Sequence, residues 1–294
     1  MAENIKISLD TSKYAIPTQE DIDAAKRFVL MREEYAQLLQ SRIDEVLADA
    51  MERIITICYR YDVDPKLLYL SNGFNEQMMN EISEVMDEAE EEILSLIEEY
   101  SINALDGSDN KKNSLLAWML LLGRKNRNLQ QTLDTYLYKF MKDIEAAVAA
   151  LKYANIPLAQ AITKAKTHLH TIYVMPEVQK AFKHAETFTA TYIRSRGVVK
   201  GNVGLSNNGS TNITNMARIT LQMVWMRSQA MDFQEQGAIG YYQLRGSNYN
   251  CDVCDNEVGF HKGIADIFIT PLPHPHCACY RIPVFTKEQI ENIE

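Results

Sequence analysis

Long apolar runs are missing from this 294-residue sequence, and so are most of the residues that interrupt helices. No stretch of about 18 apolar residues occurs, so no membrane-spanning helix is expected. Only 12 glycines and 8 prolines punctuate the chain, which favours long helices over a loop-rich or all-β architecture. No repeat of 20–50 residues recurs, which excludes a solenoid. The opening Met1-Ala2-Glu3-Asn4-Ile5-Lys6 lacks the basic-then-apolar order of a signal peptide, so a cytosolic origin is expected. What is present, 46 % hydrophobic and 23 % charged residues, is the composition of a folded globular protein.

Charge is unevenly spread. Residues 1–110 hold 25 acidic and 9 basic groups, residues 111–250 hold 7 and 18, and residues 251–294 hold 7 and 3. The respective net charges are −16, +11 and −4, for a total of −9. Solvated helix faces account for such a split in most proteins. As a functional signal, it makes the first segment an unfavourable face for DNA and the middle a tolerable one. The DNA-facing candidates are Arg124, Lys125, Arg127, Arg194, Arg196 and Lys200, with Lys111 and Lys112 nearby.

Helical spacing dominates the pattern. After an extended arm of some 16 residues, Thr18 with Asp21 reads as a capping pair. Apolar residues then recur every three or four positions from Ile22 to Cys58, among them Val29, Leu30, Leu38, Leu39 and Ile43. Asp64-Pro65 marks a break. An acidic helix is expected over 74–100, a short one through Leu115–Leu122, and a third long one over 128–153. Pro157 and Pro176 each stand where a helix starts, giving helices over about 158–172 and 177–195. Residues 196–211, with four glycines and several asparagines, read as a flexible linker. A helix over 213–235 follows, then a strand at 241–245 and a second at 278–285. The expected fold is mainly α: a long-helix body (1–195), the linker, and a small α+β module (212–294).

Cysteine is scarce and clustered. Cys58 lies in an apolar helical stretch and reads as a core residue. The other four, Cys251, Cys254, Cys277 and Cys279, fall within 29 positions. Cys251 and Cys254 form a C-x-x-C knuckle, and His274-Pro275-His276-Cys277-Ala278-Cys279 follows about twenty residues later. In a cytosolic chain such spacing points to metal before disulfides. Four ligands among Cys251, Cys254, His274, Cys277 and Cys279 would close a tetrahedral zinc site. The residue pattern leaves His274 and Cys279 open as alternatives for the fourth place. A cage closed by protein ligands is structural, because catalytic zinc keeps a position for water. The acidic charge of residues 251–294 argues against a DNA-reading zinc module.

Ala217-Arg218-Ile219-Thr220, Gln236-Gly237-Ala238, Tyr241-Tyr242, the C-x-x-C pair and the closing His274-Pro275-x-Cys277-x-Cys279 with Ile282-Pro283 resemble the Mu F-like phage head-morphogenesis family over about residues 213–285. Leu221 stands where that family has a glutamate, and Ala278 where it has an arginine; the metal set is untouched by both. The resemblance implies a non-enzymatic minor capsid protein of the virion, present in the host cytoplasm during assembly. It would associate with the portal protein and other head proteins, hold a structural Zn2+, and have a role in DNA packaging or delivery. The alternative is a zinc-dependent nuclease or phage-borne effector using the same Cys/His cluster, which would need an open metal position.

Overall fold

The computed structural model describes residues 12–61, 76–123, 126–183, 208–246, 250–269 and 277–291. It is mainly α-helical, with one small antiparallel sheet late in the chain.

Helix α1 (Gln19–Arg60) runs unbroken for 42 residues. Its start is fixed by a reciprocal cap: Asp21 N donates to Thr18 Oγ1 at 3.2 Å, and Thr18 N donates to Asp21 Oδ2 at 2.8 Å. Asp64-Pro65 lies outside the described residues. The acidic helix α2 (Glu76–Glu98) buries Met78, Ile82, Val85, Ala89, Ile93, Leu96 and Ile97, and passes into a π-helical turn, Glu99–Asn103. Next come α3 (Asp109–Leu120), α4 (Leu129–Tyr153), α5 (Leu158–Thr167) and α6 (Pro176–Lys183). Pro157 caps α5 and Pro176 opens α6, as expected of residues whose missing N–H would be unpaired there. Helix α7 (Gly209–Glu235) leads into the module of β1 (Gly240–Leu244), α8 (Asp252–Glu257), β2 (Gly259–Lys262), α9 (Ala265–Ile269), β3 (Tyr280–Val284) and α10 (Lys287–Glu291).

Two compact units emerge, and they do not follow the sequential division expected from the pattern. One falls within Met1–Leu38, Glu99–Met119 and Arg218–Glu294; the other falls within Leu39–Glu98 and Leu120–Ala217. The first half of α1 therefore belongs with the late sheet.

In the first unit β1 is the central strand, paired antiparallel with β2 and β3. Alternation gives the sheet two faces. Tyr242, Leu244, Tyr280, Ile282 and Val284 point to one side and pack against Ile22, Ala25 and Val29 of α1. Tyr241 points to the other, against Ala230 and Phe233 of α7 and Ile267 of α9. The arm before α1 joins this unit too: Tyr14 bridges Thr286, and Ala15 N donates to Phe285 O at 3.0 Å. Strand β2 was not foreseen. Its Gly259-Phe260-His261-Lys262 shows no period of two, and cross-strand pairing creates it, with His261 stacked on Tyr241 at 4.6 Å.

The second unit is built around α4, whose stretch from Lys142 to Leu151 is buried on every side. Ala146, Ala147, Ala149 and Ala150 allow neighbours to come close, and the charges on this stretch are paired, Lys142 Nζ with Glu145 Oε1 at 2.6 Å. Cys58 lies in this core, where burial pushes its thiol up to about 12. The stretch expected to be a linker ends in described structure. Residues 196–207 lie outside the described residues, but Gly209, Ser210 and Thr211 are buried in the first turn of α7. The Asp143 carboxylate caps that turn, accepting from Gly209 N at 2.6 Å. A Cβ at 209 would stand 2.3 Å from Phe140 N, so this glycine serves close approach and not chain freedom. Gly209→Ala is accordingly expected to cost about 1–3 kcal/mol as an overpacked core substitution. A fall in the urea midpoint would register it, whereas an unchanged midpoint would mean that residue 209 has room.

Candidate metal centre

Three local features assemble the site. Cys251 is the N-cap of α8, its carbonyl accepting from Asp255 N at 2.9 Å, which puts Cys254 in the first turn. Cys277 and Cys279 flank Ala278 on the extended approach to β3, so both side chains leave the same side of the backbone. Gly246, just after β1, lets the two segments meet: a Cβ there would lie 1.7 Å from Ala278 O.

The sulfur atoms of Cys254, Cys277 and Cys279 lie within 4.8 Å of one another, and those of Cys254 and Cys277 are 3.8 Å apart. A tetrahedral metal with bonds of about 2.3 Å to sulfur spaces its ligands by about 3.8 Å. The three side chains are buried and form a cluster with Met226, against which Phe28, Met223 and Cys251 pack. Cys251 is half-buried; its sulfur stands outside the 4.8 Å set but close enough to Cys254 to perturb its thiol. No cysteine is in a disulfide.

Ionisation of these thiols is mutually dependent. Cys279 is lowered to about 6, chiefly by the Cys277 thiol donating to it, with help from Cys254, the Gly246 N–H and the Arg245 guanidinium. Cys254 is pushed up to about 12, first by burial and then by its neighbours' sulfur atoms. Cys277 is raised as well, first through its bond to Cys279 and then by burial. One negative charge is thus accommodated and further ones are resisted. A bound cation reverses that resistance, because each thiolate then faces a positive ion. The thiolate donor set fits a soft or borderline metal in tetrahedral geometry.

The chain matches no family model, no curated protein and no solved structure.

Of the residues singled out from sequence, Cys254, Cys277 and Cys279 come together and Cys251 lies beside them. His274 lies outside the described residues, as do Arg124, Lys125, Arg194, Arg196 and Lys200. Arg127 is exposed just before α4 and donates to Thr135 Oγ1 at 2.5 Å.

Two residues of the site escaped the sequence pattern. Arg32 is 0 % exposed and donates from Nη2 to Cys277 O at 2.6 Å, 245 positions away. Arg281, on β3, is 4 % exposed, donates from Nε to Gln243 Oε1 at 3.0 Å and lies over the Tyr241 ring. A signal for Arg32 did exist. The buried stripe of α1 is Ile22, Ala25, Val29, Arg32, Ala36, Leu39 and Ile43, whereas Leu30 and Leu38 are exposed. An arginine in register with an apolar stripe marks a buried cation that needs a partner.

Proposed function

We propose that this chain is a minor head protein of a phage that acts by binding rather than turnover. Its late module is stapled by one structural zinc ion on Cys254, Cys277 and Cys279, with a fourth ligand from Cys251 or His274. The observation that carries the structural reading is the enclosure of the cluster. The three cysteines are at most 5 % exposed and are walled by Met226, Phe28 and Met223. A hydrolytic zinc needs an open position reached by water and a base beside it. The phage reading is supported by the motif run over residues 213–285, which resembles head-morphogenesis proteins, and by the division of charge along the chain. No helix is long and apolar enough to cross a membrane among the described residues.

The partners proposed are the portal protein and other head proteins, with non-specific DNA contact through the basic middle segment. Residues 1–110 cannot be deleted cleanly to test this, because the first half of α1 belongs to the unit that holds the cysteines. The test uses the full chain instead. Co-sedimentation with a purified portal ring is expected, together with no cleavage of plasmid DNA at any zinc concentration. Metal-dependent cleavage without portal association would establish the nuclease or effector alternative.

A further prediction concerns DNA. Replacing Arg124, Lys125 and Arg127 together by glutamate is expected to weaken retention on DNA and to flatten its salt dependence, since fewer counterions are released. Retention unchanged at every salt concentration would move the DNA face elsewhere.

A further inference from the structure

We propose that the metal centre is a tetrathiolate site, with Cys251 as its fourth ligand, and that the buried guanidiniums of Arg32 and Arg281 are its counter-charges. This rests on the metal reading above and goes further, to the ligand set and to the residues that stabilise it.

The argument begins with two cations in an unfavourable place. Arg32 is wholly buried, and among the described residues it reaches, besides Cys277 O, only its neighbour Glu33, at 3.1 Å. Its Nε and Nη1 have no hydrogen-bond partner among the described residues, and neither has Nη1 of Arg281. Both guanidiniums have thus left water without full hydrogen-bond compensation. Among the described residues, the ionisable groups that act most strongly on Arg32 include Glu33, Cys277, Arg218 and Arg281, and those on Arg281 include Tyr241, Cys277, Cys279 and Arg32.

Glu33 does not neutralise this set. Its Oε2 accepts from Arg218 at 2.6 Å, and its Oε1 is shared between Arg32 and Gln222. Among the described residues, Arg32 and Arg218 thus share the one carboxylate of Glu33 and Arg281 has no ion pair, which leaves two positive charges. Arg245 adds nothing to that surplus, because Asp255 pairs with it. What remains is the sulfur cluster that both arginines flank.

A divalent ion with four thiolates carries a charge of minus two and balances the surplus. Three thiolates and a neutral imidazole carry minus one and leave a cation buried without a counter-charge, which a protein interior penalises. The charge around the site thus selects sulfur over nitrogen for the fourth place. Cys251 is the remaining thiol at hand: its sulfur lies outside the 4.8 Å set, but the residue is half-buried against the cluster.

X-ray absorption at the zinc edge of the full-length, zinc-loaded chain tests the ligand set. Four sulfur scatterers at about 2.3 Å are expected; three sulfurs with one nitrogen at about 2.0–2.1 Å would overturn it. Cys251→Ala should remove one sulfur from that shell, and His274→Ala should leave it unchanged. The counter-charge role is read by competition with a chelator. Arg32→Met and Arg281→Met are each expected to weaken zinc binding about 10–100-fold, the usual effect of losing a residue that supports the ligands. Arg32→Lys, which keeps the charge, should recover most of the loss. Equal losses for Lys and Met would assign Arg32 to packing alone and overturn the electrostatic role. The wild-type spectrum does not depend on how any variant folds. A chain that binds no zinc would defeat the metal reading itself, whereas zinc on three sulfurs and a nitrogen would defeat only this inference.

Discussion

Stripping metal from the full-length chain with a chelator is expected to unfold the unit that carries the cysteines. Binding of structural zinc contributes about 10–16 kcal/mol near neutral pH, whereas a whole domain is stable by only about 5–15 kcal/mol. Without the ion, the Cys254, Cys277 and Cys279 sulfurs return to a buried cluster that accommodates one negative charge. Arg32 would then lose the counter-charge proposed for it while remaining tied to the Cys277 carbonyl. The first half of α1, the sheet and the end of α7 share that core, so the loss spreads beyond the loops holding the ligands. The chain provides its own reporters, because both tryptophans, Trp118 and Trp225, fall in this unit. Chelation should shift their emission to the red, and zinc should restore it. Cys277→Ser should show the shifted emission from the outset. Emission indifferent to chelator, from protein shown to have lost its metal, would mean that the ion contributes little to folding.

The second large effect is expected at Trp225, which is fully buried on α7. Its ring lies 5.8 Å from Phe28 and 5.2 Å from Tyr35, both on α1, and its Nε1 donates to Tyr100 O at 3.2 Å in the π-helical turn. One side chain thus joins three segments that are distant in sequence. Trp225→Ala should cost about 3–5 kcal/mol through the lost burial and the cavity left behind, and the stranded Tyr100 carbonyl adds about 1–3 kcal/mol. Trp225→Phe keeps the ring contacts and should cost clearly less. Trp118 provides the comparison: it is half-buried with Arg227 lying 4.4 Å over its ring, so Trp118→Ala should be the milder change. Urea unfolding measures all three. A loss below about 1 kcal/mol for Trp225→Ala would fall outside the range for a buried aromatic and would remove Trp225 from the core.

Local signals are legible in the sequence. Thr18 and Asp21 announced the start of α1, the two prolines the starts of α5 and α6, and the C-x-x-C and C-x-C spacings the sulfur cluster. Each is decided within a few residues, where backbone chemistry dominates. What could not be read depends on partners far away in the chain. A stripe repeating every three or four residues can be drawn through Leu30 and Leu38 as readily as through Arg32 and Ala36, and only the sheet packed against α1 decides between them. Gly209 looked like a linker residue because glycine supplies both chain freedom and close approach; the proximity of Phe140 selects the second. Strand β2 exists through its pairing with β1, and no alternation announces it. The assignment of residues 12–38 to the late module likewise rests on contacts spanning more than 200 positions, such as Arg32 with Cys277.

Elemental analysis of the full-length chain, purified without chelator, tests the metal-stapled module most directly. The expected result is about one zinc per chain, the number that a single four-coordinate structural site holds, retained through dialysis and lost only as the tryptophan emission shifts. Folded protein with no bound metal, its cysteines reacting freely with a thiol reagent and its emission already that of a buried Trp225, would contradict it.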